Sequence, residues 1–189
     1  MVRPTTLMTR AFLHGALSFA NSSGGIERRG QTEVDGATAK RSGHAACGGL
    51  IWVAQGTWIS GFKHKLGISF ILVAEWWGIW KGLQHAWTQG HCQIILEFDS
   101  AKAIQAFKKV KLTQPQFNLC QEIWELLERD WEWDIQQIWR EFNGCADLLA
   151  KEALGMNVLN EVLVDEPPAL VVALEFDLQG TGSSRLVRV

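Results

Sequence analysis

The stretch at residues 92–100, C-Q-I-I-L-E-F-D-S, constrains the fold of this chain more than any other. Ile94, Ile95, Leu96 and Phe98 form a short apolar run between Gly90 and Ser100, too dense for a half-exposed strand. Such a run suits a strand buried on both faces of an α/β sheet. Asp99 stands at its carboxyl end, and Ser100 follows as an N-cap for the next helix. In open α/β sheets this edge is where ligands sit. A carboxylate delivered there by a buried strand is expensive to desolvate alone and needs a partner. The partner expected here is a divalent metal ion, held together with three carboxylates distant in sequence.

At 189 residues the chain suits one domain with room for tails. Its net charge of −2 supplies no global field toward nucleic acid or membrane, so any such contact must be local. Cys47, Cys92, Cys120 and Cys145 are scattered with no C-x-x-C pair, which favours packed thiols over a zinc site or a disulfide framework. No apolar run approaches the roughly 20 residues of a membrane helix. Residues 1–30 read as a disordered leader or targeting segment, with Arg3 and Arg10, no acid before residue 26, and a short apolar patch at 11–20.

The remaining chain alternates in period. Residues 45–53 and 57–66 read as strands joined by Ala54-Gln55-Gly56, an antiparallel meander. Ser69 is placed to cap a long helix running to about Gln89, whose buried stripe is Leu72, Trp76, Ile79, Leu83 and Ala86. Glu75 borders that stripe, while Gly78 and Gly82 would let another element come close. After Asp99 come a short helix at 101–107 and the basic cluster Lys108, Lys109 and Lys111. Pro115 opens another helix near its N1 position. In 131–139 the residues alternate, with Trp131, Trp133, Ile135 and Trp139 on one face and Gln137 interrupting it. Asn143 is an N-cap for a closing helix in which Asp147 lies one turn inside. Residues 157–189 form a tail with a short appended element.

Five stretches taken together resemble a known family. They are D-G-A at Asp35, A-C-G-G-L-I around Gly48, V-A-E-W-W-G-I-W-K-G-L around Glu75, L-E-F-D-S at Asp99, and I-W-R-E-F-N-G-C-A-D-L-L-A around Asp147. Their order and spacing resemble the type 1 ribonuclease H domain, and more closely the ribonuclease H-like domain of plant retroelement reverse transcriptases. The resemblance implies an α/β, three-layer fold over residues 31–156: a mixed five-stranded sheet of order 3-2-1-4-5 flanked by helices. It implies that Asp35, Glu75, Asp99 and Asp147 are catalytic and hold two Mg²⁺ ions, with Mn²⁺ able to substitute. Asp35, Glu75 and Asp99 would share one ion, and Asp147 would hold the one nearest the attacking water. Two ions about 3.5–4 Å apart serve both the attacking and the leaving oxygen of an in-line displacement, and hard carboxylate oxygens suit Mg²⁺. The implied partner is an RNA–DNA hybrid whose RNA strand is cut, the 2′-hydroxyl marking that strand. Asn143, Gln137, Lys108 and Lys109 are the implied substrate contacts, with Lys63 and Lys65 available to phosphates.

Three departures from the family pattern set the alternatives. Gln137 stands where the family has a flexible-loop His, Phe142 where it has Gly, and polar residues 28–33 where it has an apolar strand start. A Gln cannot titrate, a non-glycine at Phe142 would be strained if that position needs positive φ, and a thin central strand would weaken the core. The first reading is therefore a metal-dependent ribonuclease for RNA–DNA hybrids. The alternative is a catalytically weak or inactive nucleic-acid-binding module derived from a retroelement; a third is an interaction scaffold using exposed Trp. The expected protein is a monomer of the cytoplasm or nucleus without a membrane partner, with organelle targeting by residues 1–25 left open.

Overall fold

Strand β1 (Arg29–Thr38) is the axis on which both halves of the sheet are hung. The structure, a computed structural model, describes residues 29–53, 56–109, 116–171 and 173. After β1 come β2 (His44–Trp52), β3 (Trp58–Ile68), α1 (Ile71–Thr88), β4 (Gln93–Phe98), α2 (Ala101–Lys109), α3 (Phe117–Leu127), β5 (Glu132–Gln137), α4 (Gly144–Leu154) and β6 (Asn160–Leu163). The sheet order is β5-β4-β1-β2-β3-β6. β1 runs antiparallel to β2 and parallel to β4, and β4 runs parallel to β5. The inner five strands are the expected 3-2-1-4-5 arrangement; the sixth comes from the segment assigned to the tail, which pairs antiparallel with β3.

The thin first strand expected from composition is corrected. β1 is laddered on both sides, and Thr32 and Glu33 within it are wholly buried. Backbone pairing does not depend on side-chain polarity, so two ladders hold a strand that its own residues advertise poorly. Glu33 lies in register beside Glu97 of β4, which is also buried.

Alternation along β1 and β2 divides the core in two. Val34, Cys47 and Ile51 face α1, where Trp76, Ile79 and Leu83 meet them. Leu50 and Trp52 face α4, against Cys145, Ala146 and Leu149. Leu170, in a 3₁₀ turn (Pro168–Leu170), completes this second layer, and the Trp58 indole donates to the Val164 carbonyl at 2.9 Å. The tail is thus built into the sheet and its lower face.

Small residues allow both helices to lie almost on the strands. A Cβ added at Gly36 would stand 2.5 Å from the Glu75 amide nitrogen, and one added at Gly48 would stand 2.6 Å from the Leu149 carbonyl carbon. Gly78 and Gly82 make the matching approach from α1, as their spacing implied; a Cβ at Gly78 would be 3.1 Å from the Asp35 carbonyl oxygen.

Several local expectations shift. The N-cap of α1 is Phe70, extended and without a side-chain cap bond, not Ser69. Ser100 does cap α2, accepting from the Ala103 amide at 3.3 Å. α3 begins at Phe117, and Pro115 lies outside the described residues. The alternation of β5 ends at Gln137: Ile138 is buried, whereas Trp139 is half exposed as the chain steps into a 3₁₀ turn (Arg140–Phe142). Cys47, Cys120 and Cys145 are buried free thiols, but Cys92 is exposed. His85 is buried and bonded to the Ser60 hydroxyl at 2.9 Å. Residues 1–28 and 174–189, on which the leader and much of the tail expectation fall, lie outside the described residues. Among the described residues no helix is long and apolar enough to cross a membrane.

Gly36→Ala drives a methyl group into the backbone of α1 and is expected to cost about 1–3 kcal/mol. Urea unfolding of the variant against wild type measures the loss.

Candidate metal centre

Three elements converge at the carboxyl end of β4. β1 carries Asp35, β4 hands off to Asp99 just beyond its last residue, and α1, seated on Gly36, brings in Glu75. One carboxylate oxygen from each of Asp35, Glu75 and Asp99 lies within 4.8 Å of the other two. Asp35 and Glu75 are buried, and Asp99 is partly exposed.

The electrostatics follow from that crowding. Burial, then the neighbouring charges of Asp99 and Asp147, push Asp35 from 3.8 up to about 8. Burial, then Asp35 and Asp99, push Glu75 from 4.5 up to about 9. Burial also raises Asp99, with the Arg140 guanidinium pulling the other way. Like charges in a desolvated corner resist ionisation, and a cation among them reverses that preference. The donor set is entirely hard oxygen, spaced so that one small ion can touch all three, and it fits Mg²⁺ or Mn²⁺.

Asp147 sits in the first turn of α4 beside this group but is engaged differently. It is near enough to Asp35 to help raise that carboxyl. Its Oδ2 pairs with Lys151 one turn along the helix, and its Oδ1 lies 3.7 Å from Nη2 of Arg140.

The expected substrate contacts fare unevenly. Asn143 is wholly buried, so direct contact with a ligand is corrected: its Nδ2 donates at 3.1 Å to the carbonyl of Val34, the residue before Asp35. It forms the N-cap of α4 as expected, though without a side-chain cap bond, and ties that helix to β1. Gln137 pairs in register with Phe98, one residue short of Asp99, and is partly buried at the edge of the site. Lys109 is exposed at the end of α2; the Lys108 side chain and Lys111 lie outside the described residues. Lys63 and Lys65 are not available to phosphates. Lys63 pairs with Glu161 at 2.9 Å and Glu152 at 3.4 Å, and Lys65 donates to the Met156 carbonyl at 2.8 Å. Phe142 closes a right-handed 3₁₀ turn, where φ is negative, so the expected strain does not arise. Sequence reasoning missed Arg140 and Lys151. The second had a signal: it stands four residues after Asp147 on one helix, the spacing of an ion pair.

A mixed sheet of this order, with carboxylates gathered at the end of its central strands, defines a ribonuclease H-like domain. The chain belongs to the reverse transcriptase-like family, whose profile matches residues 33–153. It is 30% identical over 161 residues to an Arabidopsis thaliana protein whose name places it among ribonuclease H proteins; that match takes in 84% of this chain but only 26% of the relative. Ribonuclease H1 of the archaeon Halobacterium salinarum superposes with a TM-score of 0.61 and 26% identity, over 67% of this chain and 98% of that one. LC11 ribonuclease H1, solved with an RNA/DNA hybrid, gives 0.59 and 21% over 67% and 96%, a likeness of fold.

The raised carboxyls set a pH dependence. Unfolded Asp and Glu ionise near pH 4, whereas Asp35 and Glu75 keep their protons to about 8 and 9. The folded, metal-free protein therefore binds more protons across that window, and its stability falls as pH rises through it. Thermal melts in EDTA from pH 5 to 9 are expected to show a declining Tm, flattened in Asp35→Asn. Added Mg²⁺ is expected to raise Tm most at the alkaline end.

Proposed function

We propose that this chain is a metal-dependent endonuclease that hydrolyses the RNA strand of RNA–DNA hybrids. The observation that carries the reading is the meeting of Asp35, Glu75 and Asp99 within 4.8 Å in a chain of this family. The ribonuclease H names of its relatives support the same direction. Because the chain spans about a quarter of the Arabidopsis relative, the activity is proposed for the domain.

Asp35, Glu75 and Asp99 would hold one Mg²⁺, and Asp147 with Asp35 a second. Bound Mg²⁺ supplies Lewis-acid stabilisation of charge on a phosphodiester and makes water acidic enough to attack near neutral pH. The protein's own part is placement and proton release. Asp35 and Glu75 must give up the protons that burial lets them keep. Arg140, with 76% of its side chain exposed beside the acids, is placed to meet a phosphate oxygen, as is Lys109 at longer range. Asn143 holds Asp147's helix against the strand of Asp35 and touches no substrate. Gln137 offers an amide that can hydrogen-bond but carries no titrating proton. With few cations beside the site among the described residues, affinity for the hybrid would be modest and its salt dependence shallow.

Gln137 is also the one observation favouring a binding module that cuts slowly or not at all. Both readings meet in one assay: cleavage of an end-labelled hybrid in Mg²⁺. Asp99→Asn is expected to lower the rate by about 10²–10³ through loss of transition-state charge stabilisation; equal cleavage by both proteins would remove the site. Hybrid binding without cleavage by wild type would select the module. In an active protein, Gln137→His is expected to raise turnover several-fold, and an unchanged rate would make that position idle.

A further inference from the structure

The four acids are not treated alike by the protein's own cations. Among the described residues no ion pair reaches Asp35, Glu75 or Asp99, whereas both oxygens of Asp147 are taken, Oδ2 by Lys151 and Oδ1 by Arg140. Asp147 also stands outside the set of three whose oxygens gather around one point. Resting on the metal-centre reading above, we propose that Lys151, assisted by Arg140, is the resident counter-cation of Asp147 and controls entry of a second metal ion. The Asp35–Glu75–Asp99 set fills first, and Asp147 takes up an ion only by giving up Lys151.

The geometry suits an exchange of this kind. Lys151 lies on the same helix as Asp147, four residues along, so its ammonium needs no backbone movement to arrive or to leave. Its side chain is 59% exposed on a flexible stem, which makes the pair local and weak. A weak competitor sets the affinity of the second ion without abolishing it. Arg140 reaches the other carboxylate oxygen of Asp147 and also acts on Glu75 and Asp99. A phosphate that drew this guanidinium away would free Oδ1, so substrate and second ion would arrive together.

The test is a calorimetric titration of the metal-free 189-residue chain with Mn²⁺, without nucleic acid. Wild type is expected to show a tighter and a weaker class of site. In Lys151→Met the weaker class should tighten by about 2–5-fold, the worth of an exposed ion pair, with the tighter class unchanged; Lys151→Arg should keep the wild-type pattern. A weaker class that does not respond to Lys151→Met overturns the proposal. So does an equal shift of both classes, which would reflect only the general field of the lysine. Absence of Mn²⁺ binding to wild type, with Asp99→Asn giving the same isotherm, would overturn the metal-centre reading itself, an outcome distinct from a first class that binds while the second ignores Lys151.

Discussion

The rest of this structure depends on the mutual repulsion of carboxylates held in a mostly dry corner. Asp35, Glu75 and Asp99 come from two strands and a helix, and burial, then the closeness of neighbouring acids, disfavours the charged forms of Asp35 and Glu75. A flexible assembly would relieve that repulsion by letting the acids drift apart. This one cannot, because the elements that carry them are packed backbone against backbone. Gly36 under the amide of Glu75, and Gly78 above the carbonyl of Asp35, bring the backbones of α1 and β1 into direct contact beside the site. The site is preorganised for a cation by the same contacts that make it uncomfortable without one.

The other face of the sheet is arranged on the same plan. Gly48 admits α4 to close contact, and Asn143 bonds the start of that helix to the carbonyl next to Asp35. Asp147 is thereby set beside Asp35 yet satisfied by basic neighbours. Among the described residues Asp35, Glu75 and Asp99 have no ion-pair partner, whereas Asp147 has two. That division, more than the count of four, is what the tertiary structure adds to the chemistry.

Much of the site was legible before any fold was known. The dense run 94–98 announced a buried strand, and the acids at its end and in three other stretches carried the family likeness, with A-C-G-G-L-I around Gly48. Helical periodicity placed Glu75 at the border of a buried stripe, although its full burial needed β1 to be seen beneath it. Most of what was misread had a common cause. Glu33 and the polar start of β1 looked unfit for a central strand, yet the two flanking ladders bury them. Lys63 and Lys65 looked free for phosphate, yet Glu161 and Met156, about a hundred residues on, occupy them. Trp139 matched the alternation of β5, yet the strand stops at Gln137. For β1 and the two lysines the deciding partner was remote in sequence, and local pattern carries no record of it.

The sequence by itself determined the period of most elements, the order of the acids and the family to which they belong, because these follow from local spacing and residue type. Only the tertiary structure decided which carboxylates share a point in space, that Asn143 braces the site from inside, that the tail becomes a sixth strand, and that Lys151 and Arg140 stand guard on Asp147. Those outcomes are set by contacts between segments far apart along the chain. Desolvation and Coulomb energies depend on distance in space, which only the packing of α1 and α4 onto β1 and β2 fixes.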